Sequence, residues 1–171
     1  MANKLAKRGY GQLELNQVAF RRSGRIEAQC RIADGIEYIE NGMLLAVNNM
    51  NRTVGYAVEG NVYPIALHYS TEHMYDERAN ALKDFRLNAG EFLPRMGYLG
   101  AGDKYTTNTV AYEGYEDDAA FLAAVGKVVL YAHAGEDGYH LVNDKAEGAI
   151  ALAVAATTMP DGQPAVKFQA L

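Results

Sequence analysis

The chain has 171 residues, of which 49% are apolar and 22% are charged, a composition typical of a folded globular domain and not of a disordered chain. No apolar run approaches the ~18 residues of a membrane span, and the single Cys30 excludes an intramolecular disulfide framework and a cysteine-rich zinc site. No apolar stretch follows the polar first residues, so we expect no secretory signal and synthesis in a cytosol.

The net charge of −5 is unevenly distributed along the chain. Residues 1–31 carry seven basic and two acidic side chains, a net of +5, whereas the remaining 140 residues carry nine basic and nineteen acidic ones, a net of −10. This asymmetry predicts a basic segment that docks on an acidic surface or on nucleic acid. Nucleic acid is the weaker expectation, because phosphate affinity needs a broad basic footprint and the body is acidic.

Residues 1–24 lack a clean periodicity and are punctuated by three glycines, which indicates an extended basic arm. The alternation at 13–15 and 18–20 allows one or two strands, and a solvated, mobile terminus is an equal alternative. We expect the arm to precede a β-rich globular domain over 25–171. The candidate partner-binding residues on and beside it are Lys4, Lys7, Arg8, Tyr10, Arg21, Arg22 and Arg25.

The first half of the body shows strand patterns separated by turn dipeptides. Strands are predicted over 25–32, 43–47, 53–58 and 62–69, with a hairpin turn at 48–52 and turns at 34–35 and 41–42. A helix is then predicted from Ser70 or Thr71 to Leu82, because a hydroxyl can cap its start and acidic residues follow. The competing interpretation is a loop that ends in a strand at 85–87.

The second half has the clearest signals. A strand is predicted over 104–112, and a short helix over 119–125, capped by Asp117 or Asp118 and followed by Gly126. Two hairpins follow, the first pairing 127–133 with 139–143 and the second pairing 149–158 with 165–171. The predicted fold class is mainly β, a barrel or sandwich with one or two short helices and an extended N-terminal arm.

Few residues suggest chemistry. On a helix, His73, Asp76 and Glu77 would share a face that can hold a divalent ion, with His68 and Glu72 nearby. A polar helix surface explains the same residues better. We therefore assign no catalytic, cofactor-binding or metal-ligating residue and expect no cofactor.

Two other features fit a protein that acts by contact. Cys30 lies in an apolar alternation, so we expect a buried side chain and not a nucleophile. Twelve tyrosines span the chain, and tyrosine is enriched in protein–protein interfaces. The composition thus favours an interaction protein over an enzyme.

Several segments resemble small virion structural proteins of tailed bacteriophages, of the capsid decoration or cement type. They are the opening MANKLAKRGYGQLELN, residues 65–75, FLPRMGYL at 92–99, GDKYTTN at 102–108, and the strand–turn succession of 126–171. The resemblance extends over most of the chain and lies in its general pattern of residues, strands and turns, without a diagnostic motif.

The resemblance implies a non-enzymatic protein on the outside of a phage head, made in the cytoplasm of a bacterial host. The implied partners are the major capsid protein and neighbouring copies of the same chain, so a homo-oligomer is expected, with no membrane contact. A tail, baseplate or adaptor protein remains an alternative, as does a small metal-dependent β-barrel enzyme that uses the residues from His68 to Glu77.

Overall fold

The structure is a computed structural model, and it describes residues 2–58, 60–70, 85–91 and 94–171. The protein is mainly β, with 42% of the described residues in strands and 8% in helices. This confirms the predicted fold class, and the arrangement of sheets is consistent with a β-sandwich-like fold.

In chain order, the elements within the described residues are β1 (Asn3–Lys4), β2 (Leu13–Gln17), α1 (Phe20–Ser23), β3 (Ile26–Glu27), β4 (Arg31–Ile32), β5 (Tyr38–Glu40), β6 (Leu44–Asn48), β7 (Thr53–Tyr56), β8 (Ile65–His68), β9 (Arg86–Asn88), β10 (Met96–Gly97), β11 (Lys104–Thr107), β12 (Val110–Tyr112), α2 (Asp118–Ala124), β13 (Tyr131–Ala134), β14 (His140–Asn143), β15 (Ala151–Thr158) and β16 (Pro164–Ala170).

The described strands form three sheets. The largest has the order β1-β12-β14-β13-β15-β16-β11-β2, the second has the order β3-β10-β8-β6-β7-β4, and β5 pairs with β9. Strands β11 and β12 lie near opposite ends of the largest sheet, yet only two residues separate them in the chain. The largest sheet therefore curves back until its two ends meet at Asn108 and Thr109.

The strand predicted over 104–112 is thus split in two. Asn108 is buried at the break, and its side-chain oxygen accepts a hydrogen bond from the Gln12 amide at 2.7 Å. Asn108 therefore binds the N-terminal segment at Gln12 and does not continue the backbone hydrogen bonds of strand β11. Such a long-range partner leaves no mark on local sequence periodicity.

Two apolar clusters lie on opposite faces of β6. Leu44 packs into one cluster with Tyr105 and Phe168 of the largest sheet, and Leu45 packs into the other with Ile39 and Leu87 of the small sheet. Because alternate residues of a strand point to opposite faces, both faces of β6 are covered. This explains its continuous apolar run.

The short helix and the two hairpins predicted in the second half of the chain are present, although the first hairpin begins at Tyr131 and not at residue 127. Strands β13 and β14 form one antiparallel hairpin, and β15 and β16 form the other. Helix α2 begins after Asp117, whose side chain accepts a hydrogen bond from the Ala120 amide at 2.8 Å. The cap satisfies one of the free backbone donors at the start of the helix.

The single strand predicted over 25–32 is in fact two short strands, β3 and β4, which residues 28–30 separate. Burial of Cys30 is confirmed. The helix predicted to run to Leu82 lies outside the described residues, except for Ser70.

The N-terminal segment, residues 2–24, was predicted to be an extended arm with one or two strands, and in the structure it lies against the body. Strand β1 pairs with β12, β2 pairs with β11, and Leu5 and Phe20 are buried in the main core. The apolar residues of this segment enter a core built by distant parts of the chain: Leu5 lies beside Val110, and Phe20 packs against Tyr69 and Gly97. In the structure the segment is held by contacts with its own chain.

Candidate functional site

The most prominent candidate is an exposed basic surface at the end of the N-terminal segment. We call Arg21, Arg22 and Arg25 the arginine patch. All three are exposed, the first two on α1 and the third just after it. These residues were predicted to bind a partner from the charge of the N-terminal segment, and in the structure they lie on α1 and just after it.

Helix α1 has one turn, and its ends are fixed by backbone contacts. The Ala19 amide donates to Asp103 Oδ1 at 2.8 Å, and Gly24 ends the turn in the left-handed conformation with φ 71°. Glycine adopts this conformation without steric cost. The amides of Gly24 and Arg25 both donate to the Phe20 carbonyl, so the turn is closed around that residue.

Phe20 anchors the turn in the core. Its ring is fully buried and packs against Tyr69, with ring centroids 5.0 Å apart. It also lies directly against Gly97, where an added Cβ would come within 2.5 Å of the ring. A short helix is marginal alone, so this packing is what holds the arginine patch in place.

Asp103 ties the turn to the neighbouring loop. It is 6% exposed, and its second carboxylate oxygen accepts from the Gly100 amide at 2.9 Å. The Arg25 guanidinium lies against Gly100, where a side chain would collide with it. Glycine at position 100 therefore makes room for one of the three arginines.

The lysines of the N-terminal segment are engaged within the chain. Lys7 forms a largely buried ion pair with Glu40, which is 2% exposed. Lys4 pairs with Asp137 at 2.8 Å, and both ammonium groups lie over the Tyr139 ring, at 4.3 and 4.9 Å from its centroid. Burial lowers the pKa of Lys7, against the opposing effect of Glu40.

Tyr10 and Arg8 also make contacts with the body. The Arg86 guanidinium lies between the rings of Tyr10 and Tyr38, 4.8 and 5.2 Å from their centroids. The Arg8 amide donates to the side chain of Gln163, beside a shallow cleft of about 260 Å³. Of the seven predicted partner-binding residues, Lys4, Lys7 and Tyr10 thus fasten the segment to its own chain.

His68 and Ser70 form a second notable arrangement. The His68 Nε2 atom lies 2.7 Å from Ser70 Oγ, and its Nδ1 atom lies 2.7 Å from the Glu40 carbonyl oxygen. Both side chains are fully buried, and Ser70 Oγ also accepts from the Arg95 amide at 2.8 Å. Burial lowers the pKa of His68 to about 4.

This geometry is one that an acyl-transfer dyad also uses, but here every polar atom of the pair is already occupied by the protein. The neutral imidazole donates from Nδ1 to the carbonyl and accepts the Ser70 hydroxyl at Nε2. The pair therefore locks the end of β8 to the 40–41 and 94–96 segments. No ring nitrogen of His68 is left for a metal ion.

The other residues of the predicted ion cluster, Glu72, His73, Asp76 and Glu77, lie outside the described residues. Within the described ranges, no group of three or more His, Cys, Asp or Glu side chains is placed to hold a metal. His133 and His140, which flank a hairpin turn, do not pair, because the partner of His140 across the hairpin is Ala134.

His140 is instead part of the core. It is fully buried, and its Nε2 atom lies 2.9 Å from the Tyr105 hydroxyl oxygen. Its ring stacks on that of Phe168, with centroids 4.6 Å apart. Burial lowers its pKa to about 3. Sequence alone shows this histidine only as a residue near a loop.

Sequence reasoning did not single out Glu40, Asp103 and Tyr139, which organise both basic regions. Glu40 lies two residues before the turn glycine Gly42, and Asp103 directly follows the turn glycine Gly102. Polar residues are common at such positions. Their role follows only from contacts between distant segments, so no local signal could have revealed it.

Comparison with protein-family models, with curated proteins and with solved structures finds no match in any of the three. In the described part of the chain, no helix has the length and apolar character needed to cross a membrane.

Proposed function

We propose that the protein is a non-enzymatic structural component of a tailed-phage virion, a capsid decoration protein that binds the outer surface of the head and stabilises it. The observation that carries the proposal is the arginine patch, a set of three exposed cations anchored to a β-rich core by Phe20 and Asp103. The resemblance of the sequence to such virion proteins supplies the biological context.

Arginine suits this role because its guanidinium is planar, permanently charged and able to bind a carboxylate through two parallel hydrogen bonds. Three arginines on an anchored turn can engage an acidic site of the major capsid protein with little loss of backbone freedom. Each exposed ion pair contributes only about 0–1 kcal/mol. Stable attachment therefore also requires apolar contact and neighbouring copies that reinforce one another on the particle.

The structure changes which residues carry this proposal. Lys7 is paired with the buried Glu40, so releasing it to reach a partner would leave a buried carboxylate unpaired, whereas Lys4 is paired with the partly exposed Asp137 and lies over the Tyr139 ring. We therefore assign attachment to the arginine patch and not to Lys7.

The test mixes the protein with head particles that lack it, followed by sedimentation and quantification of the protein that co-pellets. The variant is Arg21→Glu/Arg22→Glu/Arg25→Glu. A matched control with the same change in charge is Arg31→Glu/Lys127→Glu/Lys145→Glu, which alters three exposed cations elsewhere on the chain.

We expect the parent and the control to co-pellet and the patch variant to be lost, while circular dichroism shows that all three remain folded. Equal co-pelleting of the patch variant would contradict the role of the arginines. Failure of the parent to pellet with heads, but attachment to tails or baseplates, would favour the alternative of a tail, baseplate or adaptor protein.

A further inference from the structure

Lys7 and Glu40 form a buried pair that the proposed attachment does not use. The Lys7 side chain is 14% exposed and the Glu40 side chain is 2% exposed, and the Lys7 ammonium donates to Glu40 Oε2. The same ammonium lies over the Tyr139 ring, as does that of Lys4. A carboxylate and an aromatic ring thus enclose an amine that has little access to water.

Asn41, the residue after Glu40, has a side chain that the fold leaves unsatisfied. It is fully buried, and neither its Oδ1 nor its Nδ2 atom has a hydrogen-bond partner in the described part of the chain. A buried polar group without a partner costs free energy and is rare in folded proteins. An unpartnered amide next to a buried ion pair is therefore a candidate for chemistry.

The N-terminal segment crosses Glu40 and Asn41 directly. At Gly11, an added Cβ would collide with the Asn41 carbonyl oxygen and with Glu40 Cβ, so the two backbones touch a few residues after Lys7. From the start of the same stretch, the Lys7 side chain reaches the Glu40 carboxylate. Residues 7, 40 and 41 are therefore brought together by two crossing segments.

We propose that the chain joins Lys7 to Asn41 through an isopeptide bond, with Glu40 as the proton carrier. Glu40 takes a proton from the Lys7 ammonium, and the resulting amine attacks Cγ of Asn41. The Nζ–Cγ bond forms and the Cγ–Nδ2 bond breaks, while Glu40 passes its proton to Nδ2 and removes one from Nζ. Ammonia leaves with the proton that Glu40 then holds, so an ammonium and a primary amide give a secondary amide and an ammonium ion, with no other reactant.

The surroundings favour these steps. Burial lowers the pKa of Lys7, and the charge of Lys4 adds to this against the opposing effect of Glu40, which increases the share of neutral, nucleophilic amine. A carboxylate in contact with that amine is placed to act as a general base and then as a general acid. The shallow cleft of about 260 Å³ lined by Lys7 and Arg8 gives ammonia a way out.

The bond would fasten the part of the chain that carries the arginine patch. Lys7 precedes α1 and Asn41 follows β5, so residues 7–41 become a covalent loop and the N-terminal segment cannot detach from the body. The reaction also consumes the unpartnered amide of Asn41. It takes place once per chain and in the isolated protein, so its failure would leave the attachment proposal standing.

The experiment is intact-mass spectrometry of the purified full chain after incubation at neutral pH. Lys7→Arg keeps a cation opposite Glu40 but removes the nucleophilic amine, and Lys4→Arg is the matched control at the neighbouring lysine over the same ring. We expect the parent and the control to be lighter than their sequences require by one molecule of ammonia, and Lys7→Arg to have its full mass. Proteolysis of the parent should release a branched peptide that joins Lys7 to Asn41.

Two further variants test the other roles. Asn41→Ala should have its full mass, and Glu40→Gln should slow the loss of ammonia by at least about 100-fold. A parent of full mass would overturn the proposal, and that measurement does not depend on the folding of any variant. A deficit that persists in Lys7→Arg would overturn it as well, because it would indicate a cyclic imide at Asn41 and Gly42 and not a cross-link.

Discussion

Gly97 and Phe20 form a contact whose energetics can be measured directly. A Cβ at position 97 would lie 2.5 Å from the Phe20 ring, well inside van der Waals contact. The φ angle of Gly97 is not among the positive values found at other glycines, and the three atoms nearest to an added Cβ all belong to the Phe20 ring. Gly97→Ala is therefore a clean probe of the packing that anchors the arginine patch.

The expected magnitudes follow from core packing. Gly97→Ala should destabilise the protein by about 1–3 kcal/mol, the usual cost of overpacking. Phe20→Ala should cost about 3–5 kcal/mol, because it leaves a cavity beside Tyr69. In the double variant the added methyl group has space, so its own cost should fall to near zero. The coupling free energy is then about 1–3 kcal/mol.

The assay is urea unfolding of the four proteins, followed by circular dichroism and analysed as a double-mutant cycle. Gly55→Ala is the control, because its Cβ has ordinary contacts, and it should change the free energy of unfolding little. If Gly97→Ala costs the same with and without the Phe20 ring, the described packing of α1 is incorrect.

Three further predictions concern single features of the fold. Asp117→Ala should cost about 1 kcal/mol in urea unfolding, because it removes the cap of α2, whereas Asp117→Asn should cost much less. Lys7→Ala should cost about 3–5 kcal/mol, since the buried Glu40 loses its counter-ion, and a cost below 1 kcal/mol would refute the ion pair. His68 and His140 have pKa values lowered by burial to about 4 and about 3, from 6.5, so the unfolded chain binds protons first as the pH falls. Stability should therefore be full above pH 6.5 and decline below it, by roughly 2 kcal/mol per histidine at pH 5, and a flat profile between pH 7 and 5 would refute their burial as neutral groups.

The elements predicted correctly from the sequence are those whose signals are local. The hairpin β15–β16 has alternating strands and a Pro-Asp-Gly turn, and α2 has its acidic cap, and both are present. Strand β6 was recognised from its apolar run. In each case neighbouring residues carry the information, so pattern and structure agree.

The contacts of the N-terminal segment could not be predicted from the sequence, because they join residues that are far apart in the chain. Strand β1 pairs with β12, more than a hundred residues further along the chain, and Lys7 is largely buried in an ion pair with Glu40. Charge asymmetry drew attention to the basic residues but could not show which of them contact the body. We place the proposed attachment on three of the seven predicted residues, Arg21, Arg22 and Arg25.

The most direct test of the central claim is electron cryomicroscopy of virions and of heads assembled without this protein. The account predicts density for the β-rich body on the outside of the shell of the virion, with α1 and the arginine patch facing acidic residues of the major capsid protein, and no such density on the bare heads. Density found only at the tail, or a body on the shell with α1 facing solvent, would contradict it.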